Sequence, residues 1–230
     1  MWLSGGPGTG KTVLTGSVIH HLREMAERDQ ATTPPELSIL YFFCNDKAND
    51  PHTTQIAAIF RSFIFQLWQS LVDTDPMMKA LEMILQSCHA HACDDVYMTE
   101  ILHSIFKNLS TRTYIVIDAF DECENRNQLM ERLRKLNREN VQRIKIFLSS
   151  RADEKSEHHI SSDLSILVSQ EITWPDLKLY TENEMESAIQ ARRIKIGQSN
   201  LKDEIVSTLV QNAKGMYVAS KFWCSKLMKF

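Results

Sequence analysis

Apolar residues fall along this chain in short continuous runs separated by stripes at helical spacing. Met1-Trp2-Leu3 is the first run. Val13, Leu14, Val18, Leu22 and Met25 then recur every three or four residues and predict a helix from about Gly10 to Arg28. Leu37–Cys44 is β-branched and aromatic, which predicts a buried strand after the break at Thr33-Pro34-Pro35. The stretch 53–72 predicts an amphipathic helix with Ile56, Ile59, Phe60, Phe63, Leu67, Trp68 and Leu71 on its inner face. Asp75-Pro76 reads as an N-cap and first helical residue of a further helix to about His89.

The alternation continues downstream. Ala90–Val96 reads as irregular and Thr99–Leu109 as helical, followed by a strand at Tyr114–Ile117, a charged helix over 125–139 and a strand at Ile144–Leu148. A fifth strand is expected within Ser165–Ile172. Thr181 with Glu184 has the form of a capping box, which predicts a helix from there to about Ile194. Asn200 is the expected cap of a helix carrying Leu201, Ile205 and Leu209. Gly215 should separate it from a last helix with Met216, Ala219, Trp223 and Leu227. Strands alternating with helices imply a parallel sheet with helices on both faces, here an α/β domain over residues 1–175 with a small helical subdomain over 176–230.

Composition narrows the class without deciding it. The chain has 230 residues, 43% of them hydrophobic and 24% charged, which suits a globular core. A formal net charge of −3 gives no drive toward nucleic acid or an anionic membrane. The stretch Ile56–Val72 is too short and too polar to span a membrane. Five scattered cysteines point to free thiols in a reducing compartment, so a cytoplasmic location is expected.

Three sites carry chemistry. The first is Gly5-Gly6-Pro7-Gly8-Thr9-Gly10-Lys11-Thr12, a match to the phosphate-binding loop G-x-x-x-x-G-K-[ST]. Its glycines permit backbone conformations in which successive N–H groups cradle an anion, and the following helix adds its positive end. The phosphate-binding set runs from Gly5 through Gly6, Pro7, Gly8, Thr9, Gly10, Lys11 and Thr12 to Val13. Lys11 reaches the β/γ-phosphates, and the Thr12 hydroxyl is a ligand for Mg²⁺. The second site is Asp118-Ala119-Phe120-Asp121-Glu122, directly after an apolar strand. Asp118 is placed to hold Mg²⁺, and either Asp121 or Glu122 is placed to polarise an attacking water. The third is Ser149-Ser150-Arg151 at a strand end, where Arg151 is a candidate contact for the γ-phosphate.

Three other features read as structural. The run Cys88, His89, His91 and Cys93 lacks a usual zinc spacing. Cys123 is expected to be packed, because neighbouring carboxylates disfavour a thiolate. The basic helix from Arg126 to Arg143 also carries Glu131 and Glu139, which favours a solvated face over a nucleic-acid patch. Absence of N-K-x-D and of an arginine-rich lid argues against a small GTPase and a nucleotide kinase.

With Gly5–Thr12, Ile115–Cys123 and Ile146–Arg151 in hand, the chain resembles the NACHT domains of signal-transducing P-loop NTPases, in particular the nephrocystin-like class of fungal NLR-like proteins. Tyr41-Phe42-Phe43-Cys44, Ile64-Phe65-Gln66-Leu67 and Ala213-Lys214-Gly215-Met216-Tyr217 are similar to that class as well. The resemblance implies an additional-strand sheet, with the strand at Ile144 lying between the strand before the loop and the one ending at Asp118. It implies Lys11 and Thr12 on phosphate and Mg²⁺, Asp118 in the metal shell, Asp121 and Glu122 at the hydrolytic water, and Arg151 as a sensor. It further implies binding and slow hydrolysis of ATP, or GTP, as a signalling switch, with self-association and with effector or repeat domains in a fuller protein. The domain would be N-terminally truncated, since its first strand starts at the first residue. The alternative is a scaffold or fragment that binds nucleotide, or only a protein partner, without hydrolysis.

Overall fold

The computed structural model describes residues 1–28, 37–45, 54–70, 79, 81–83, 86, 94–108, 111–140, 143–152, 164–197 and 199–216. The predicted loop-borne Cys88–Cys93 cluster, most of the helix predicted to end near His89, and the last predicted helix beyond Met216 lie outside these residues. Among the described residues there are five strands: β1 Trp2–Gly5, β2 Leu37–Phe43, β3 Arg112–Asp118, β4 Ile144–Arg151 and β5 Ser165–Val168. The longer described helices are α1 Lys11–Arg28, α2 Ile56–Ser70, α3 Asp95–Asn108, α4 Arg126–Glu139, α5 Gln170–Gln190 and α6 Ser199–Ala213. The strands form one parallel sheet flanked by helices, in the order β2-β3-β4-β1-β5. β4 therefore lies between β3 and β1, as the resemblance implies.

The sequence dictates this arrangement. Parallel strands bury both faces, so they read as unbroken apolar runs. Ile115, Val116 and Ile117 of β3 are all almost wholly buried. β3 pairs in register with Leu37–Phe43 on one side and with Ile144–Leu148 on the other. α2 packs on β2 and α3 through Ile56, Ile59, Phe60, Phe63, Ile64 and Leu67, all buried. At about 1.5–3 kcal/mol for each large apolar side chain, this face is a principal anchor of the layer. Gln66, on the same helix, sets its amide against the main chain of the edge strand β2. Its Oε1 accepts from the Tyr41 N–H at 2.9 Å and its Nε2 donates to the Tyr41 carbonyl at 2.8 Å.

By contact the chain divides into two compact units, Met1–Trp2 with Thr12–Ser150, and Leu3–Lys11 with Arg151–Phe230. In the second, β5 ends at Val168 beside Gly5. A Cβ on Gly5 would come within 2.9 Å of the Val168 carbonyl oxygen, so only glycine fits. Leu177, Met185, Val206, Val210 and Ala213 form the core of the helical part, with Trp174, Ile194, Ile196 and Ile205 packed on it.

Several expectations are corrected. The inner face of α1 is Thr15, Ile19 and Leu22, whereas Val13 is 73% exposed and Leu14 44%. α3 begins at Asp95, four residues before the predicted start, with the Asp94 carboxylate accepting from the Tyr97 N–H at 2.8 Å. Thr181 does not cap a helix. α5 runs unbroken from Gln170 through Pro175, its cap is Ser169, and the Thr181 hydroxyl donates to the Leu177 carbonyl at 2.7 Å. A threonine inside a helix satisfies its hydroxyl on the preceding turn, so the box pattern alone does not start one. β5, expected within Ser165–Ile172, occupies Ser165–Val168. α6 starts at Ser199, one residue before the predicted cap.

Candidate functional site

The glycine loop between β1 and α1 is held by its own main chain. Gly8 and Gly10 take positive φ values of 71° and 88°, conformations that cost a side-chain-bearing residue strain. The Thr9 hydroxyl donates to the Gly6 carbonyl at 2.9 Å. The Lys11 ammonium donates to the carbonyls of Gly5 at 2.9 Å and Gly6 at 2.6 Å, which keeps its charge over the loop. α1 opens directly at Lys11, so its first N–H groups have no partner from an earlier turn of the helix. Thr12 and Val13 are exposed in that first turn. Left-handed glycines, a cation on the loop and a helix start are the features a phosphate group needs.

The acidic end of β3 is organised differently. Asp118 is the last residue of the strand and only 3% exposed. Its Oδ1 accepts from the Thr15 hydroxyl of α1 at 3.0 Å and from the Ser149 hydroxyl of β4. The Ser149 Oγ in turn accepts from the Ala119 N–H at 3.1 Å. A buried carboxylate needs such donors, because an unpaired one is costly. Ala119 has φ 51° and ψ 45°, a left-handed geometry uncommon for alanine, and it starts a 3₁₀ turn over Phe120–Glu122. The Glu122 N–H closes that turn on the Ala119 carbonyl at 2.8 Å. Phe120 is buried with its ring edge-on to Trp2, centroids 5.6 Å apart, which pins the turn while Asp121 and Glu122 stay half-buried.

Two buried thiols back this end. The Cys44 N–H donates to the Asp118 carbonyl at 3.1 Å, and the Cys123 thiol donates to the Thr54 carbonyl at 3.1 Å. Burial pushes both thiols up; the Glu124 charge adds to this at Cys123, and Cys123, Asp118, Glu122 and Asp121 add to it at Cys44. Cys123 is therefore packed, as expected, but desolvation outweighs the carboxylates as the reason. Arg151 ends β4 and is exposed. The polar face of α4 is exposed at Glu131, Arg134, Lys135, Arg138 and Glu139, as expected for a solvated face, with one exception. Arg132 is largely buried and reaches the Asp95 carboxylate of α3 at 2.6 Å. Among the described residues no three His, Cys, Asp or Glu side chains cluster as metal ligands, and no helix is long and apolar enough to cross a membrane.

The structure thus brings Asp118 together with two hydroxyls, Thr15 from outside the three motifs and Ser149 from the motif singled out for Arg151. A polar residue at a stripe position among Ile19 and Leu22 was the signal for Thr15: a buried threonine facing away from its own helix needs a partner. Nothing in the sequence marks Ser149 apart from its place at a strand end.

The family model described as nephrocystin 3, N-terminal, matches residues 1–151. The chain belongs to that family. The match bears out the likeness to nephrocystin-like NACHT modules. The chain is also 29% identical over 220 residues to the vegetative incompatibility protein HET-E-1 of Podospora anserina, a match over 91% of this chain. It spans only 13% of the length of that relative. Solved structures similar to it include the Aeropyrum pernix ORC1 protein, solved in complex with DNA, at 13% identity and a TM-score of 0.49 over 95% of this chain and 58% of that one. The C. elegans PCH-2 structure is similar at 13% identity and a TM-score of 0.47, over 96% and 52%. Family and sheet order together make the nephrocystin-like chain a P-loop nucleotide-binding module.

Proposed function

We propose that this module binds ATP, or GTP, with Mg²⁺ and hydrolyses it slowly as a signalling switch. The observation that supports this best is the loop itself, with left-handed Gly8 and Gly10 and the Lys11 ammonium held over the Gly5 and Gly6 carbonyls. In this reading Gly5, Gly6, Pro7, Gly8, Thr9, Gly10 and Val13 line the phosphates with main-chain groups. Lys11 supplies the positive charge that transferring phosphate demands. Thr12 and Asp118 are the oxygen ligands for the cation, which when bound neutralises charge on the phosphates. Glu122, with Asp121 as its rival, accepts a proton from water on its way to the γ-phosphorus. Arg151 contacts the γ-phosphate and senses its loss.

Residues 1–175 then act as the nucleotide-binding domain and 176–230 as the helical part whose docking the nucleotide biases. The setting is cytoplasmic, with self-association through the NACHT domain and with effector or repeat domains in the fuller protein. Purified chain incubated with labelled ATP and with labelled GTP tests the reading. Mg²⁺-dependent binding with slow phosphate release is the expected outcome. Binding without release would make the module a non-hydrolysing scaffold, and no binding of either nucleotide would sink the proposal.

A further inference from the structure

We infer that Thr15 and Ser149 are positioning residues that aim the Asp118 carboxylate toward a cation. The inference rests on the reading of Asp118 as a metal-side ligand and concerns how this chain holds it. Both hydroxyls converge on the same oxygen, Oδ1. They come from separate elements, Thr15 from α1 and Ser149 from β4, 103 and 31 residues away. Two donors on one oxygen fix both the position and the rotation of a carboxylate. With Oδ1 held by both hydroxyls, the direction in which Oδ2 points is set by the same pair. Partners behind a ligand set its orientation and basicity, and losing one costs about 10–100-fold in metal affinity.

The two hydroxyls are not equivalent. Thr15 donates to the carboxylate from α1, whereas Ser149, besides donating to it, accepts from the Ala119 N–H. Ala119 begins the 3₁₀ turn that carries Asp121 and Glu122. Ser149 therefore ties the cation side of the site to the turn bearing the candidate base.

The test is a Mg²⁺ titration of binding to a fluorescent ADP analogue, with an EDTA arm, on wild type, Thr15→Val, Thr15→Ser, Ser149→Ala, Asp118→Asn and the double variant Thr15→Val/Asp118→Asn. In Thr15→Val and Ser149→Ala the half-saturating Mg²⁺ concentration should rise about 10-fold or more, with affinity in EDTA unchanged. Thr15→Ser, which keeps the hydroxyl, should restore the wild-type value. In the Asp118→Asn background Thr15→Val should change nothing further, because it acts through that carboxylate. Phosphate release should fall further in Ser149→Ala than in Thr15→Val at saturating Mg²⁺. Folding is checked by circular dichroism, and if Ser149→Ala fails to fold, the Thr15 series decides alone. A wild type with Mg²⁺-dependent binding and a folded Thr15→Val with the same half-saturation overturns the clamp and leaves the Asp118 reading standing. A wild type whose binding ignores Mg²⁺ removes the Asp118 reading, and the clamp with it.

Discussion

The phosphate loop and the acidic end of β3 reach rigidity by opposite routes. In the loop the side-chain hydrogen bonds are short-range: Thr9 to Gly6, and Lys11 to Gly5 and Gly6, spanning three to six residues. At the strand end the ties reach across 31 and 103 residues, from Ser149 and Thr15 to Asp118. The loop is shaped by what its glycines permit, and the carboxylate by what the tertiary structure brings to it. Damage to the loop should therefore stay local, while damage to the strand end should register in several elements.

The largest effect is expected at the strand end. Glu122→Gln is nearly isosteric and leaves the 3₁₀ turn intact, since the turn closes through the Glu122 N–H. Turnover should drop by about 10²–10⁴-fold while nucleotide affinity holds. Single-turnover rates beside those of Asp121→Asn decide which carboxylate is the base; a slower Asp121→Asn would reverse the assignment. Next comes Lys11→Ala, which should weaken nucleotide binding by roughly 10–100-fold, the value of about 1.5–3 kcal/mol for a charge-assisted hydrogen bond. Unchanged affinity in a folded variant would take the loop out of the account.

Smaller effects test the two kinds of rigidity directly. Gly10→Ala places a side chain at φ 88° and should cost about 1–2 kcal/mol of stability. If the loop is as local as it looks, thermal unfolding should show that loss while cleavage of β3 and β4 by protease in native buffer stays at the wild-type rate. The strand end should show a pH signature instead. Burial raises the Cys44 and Cys123 thiols, so the folded chain keeps protons that the unfolded chain gives up. That stability is whole below about pH 8.5 and declines above it, by at most about 1.4 kcal/mol per thiol per pH unit. Melting midpoints should be level near neutrality and fall in alkali, less steeply in Cys44→Ala. Identical slopes would show that Cys44 does not titrate with folding.

The same contrast explains what the sequence could disclose. The loop and Asp118–Glu122 were legible because their chemistry is contiguous, and the β3 and β4 strands because parallel strands are apolar throughout. The order with β4 central was implied by resemblance and appears in the sheet. Thr15 and Ser149 were invisible as partners, because no local pattern encodes a contact across 103 residues. The α1 stripe was misread at Val13 and Leu14, since apolar residues in a first turn can face solvent when a loop sets the helix phase. Thr181-x-x-Glu184 has the form of a start signal, yet it lies inside a helix that already runs through Pro175. A proline inside α5 forfeits one backbone bond, and the packed face of Leu177 and Met185 outweighs that loss.

The amide of Gln66 has a bearing on solubility. β2 is an edge strand, and Leu37–Phe43 is uncharged, apolar or aromatic apart from Ser38, and free of proline, the kind of segment that templates fibrils when its outer hydrogen-bonding groups are bare. By taking the Tyr41 N–H and carbonyl together, Gln66 occupies the rung that an incoming strand would use. The helix thus supplies a single side chain as a substitute neighbour. Copies of the chain that meet along this margin find the ladder closed at Tyr41, which directs self-association to other faces.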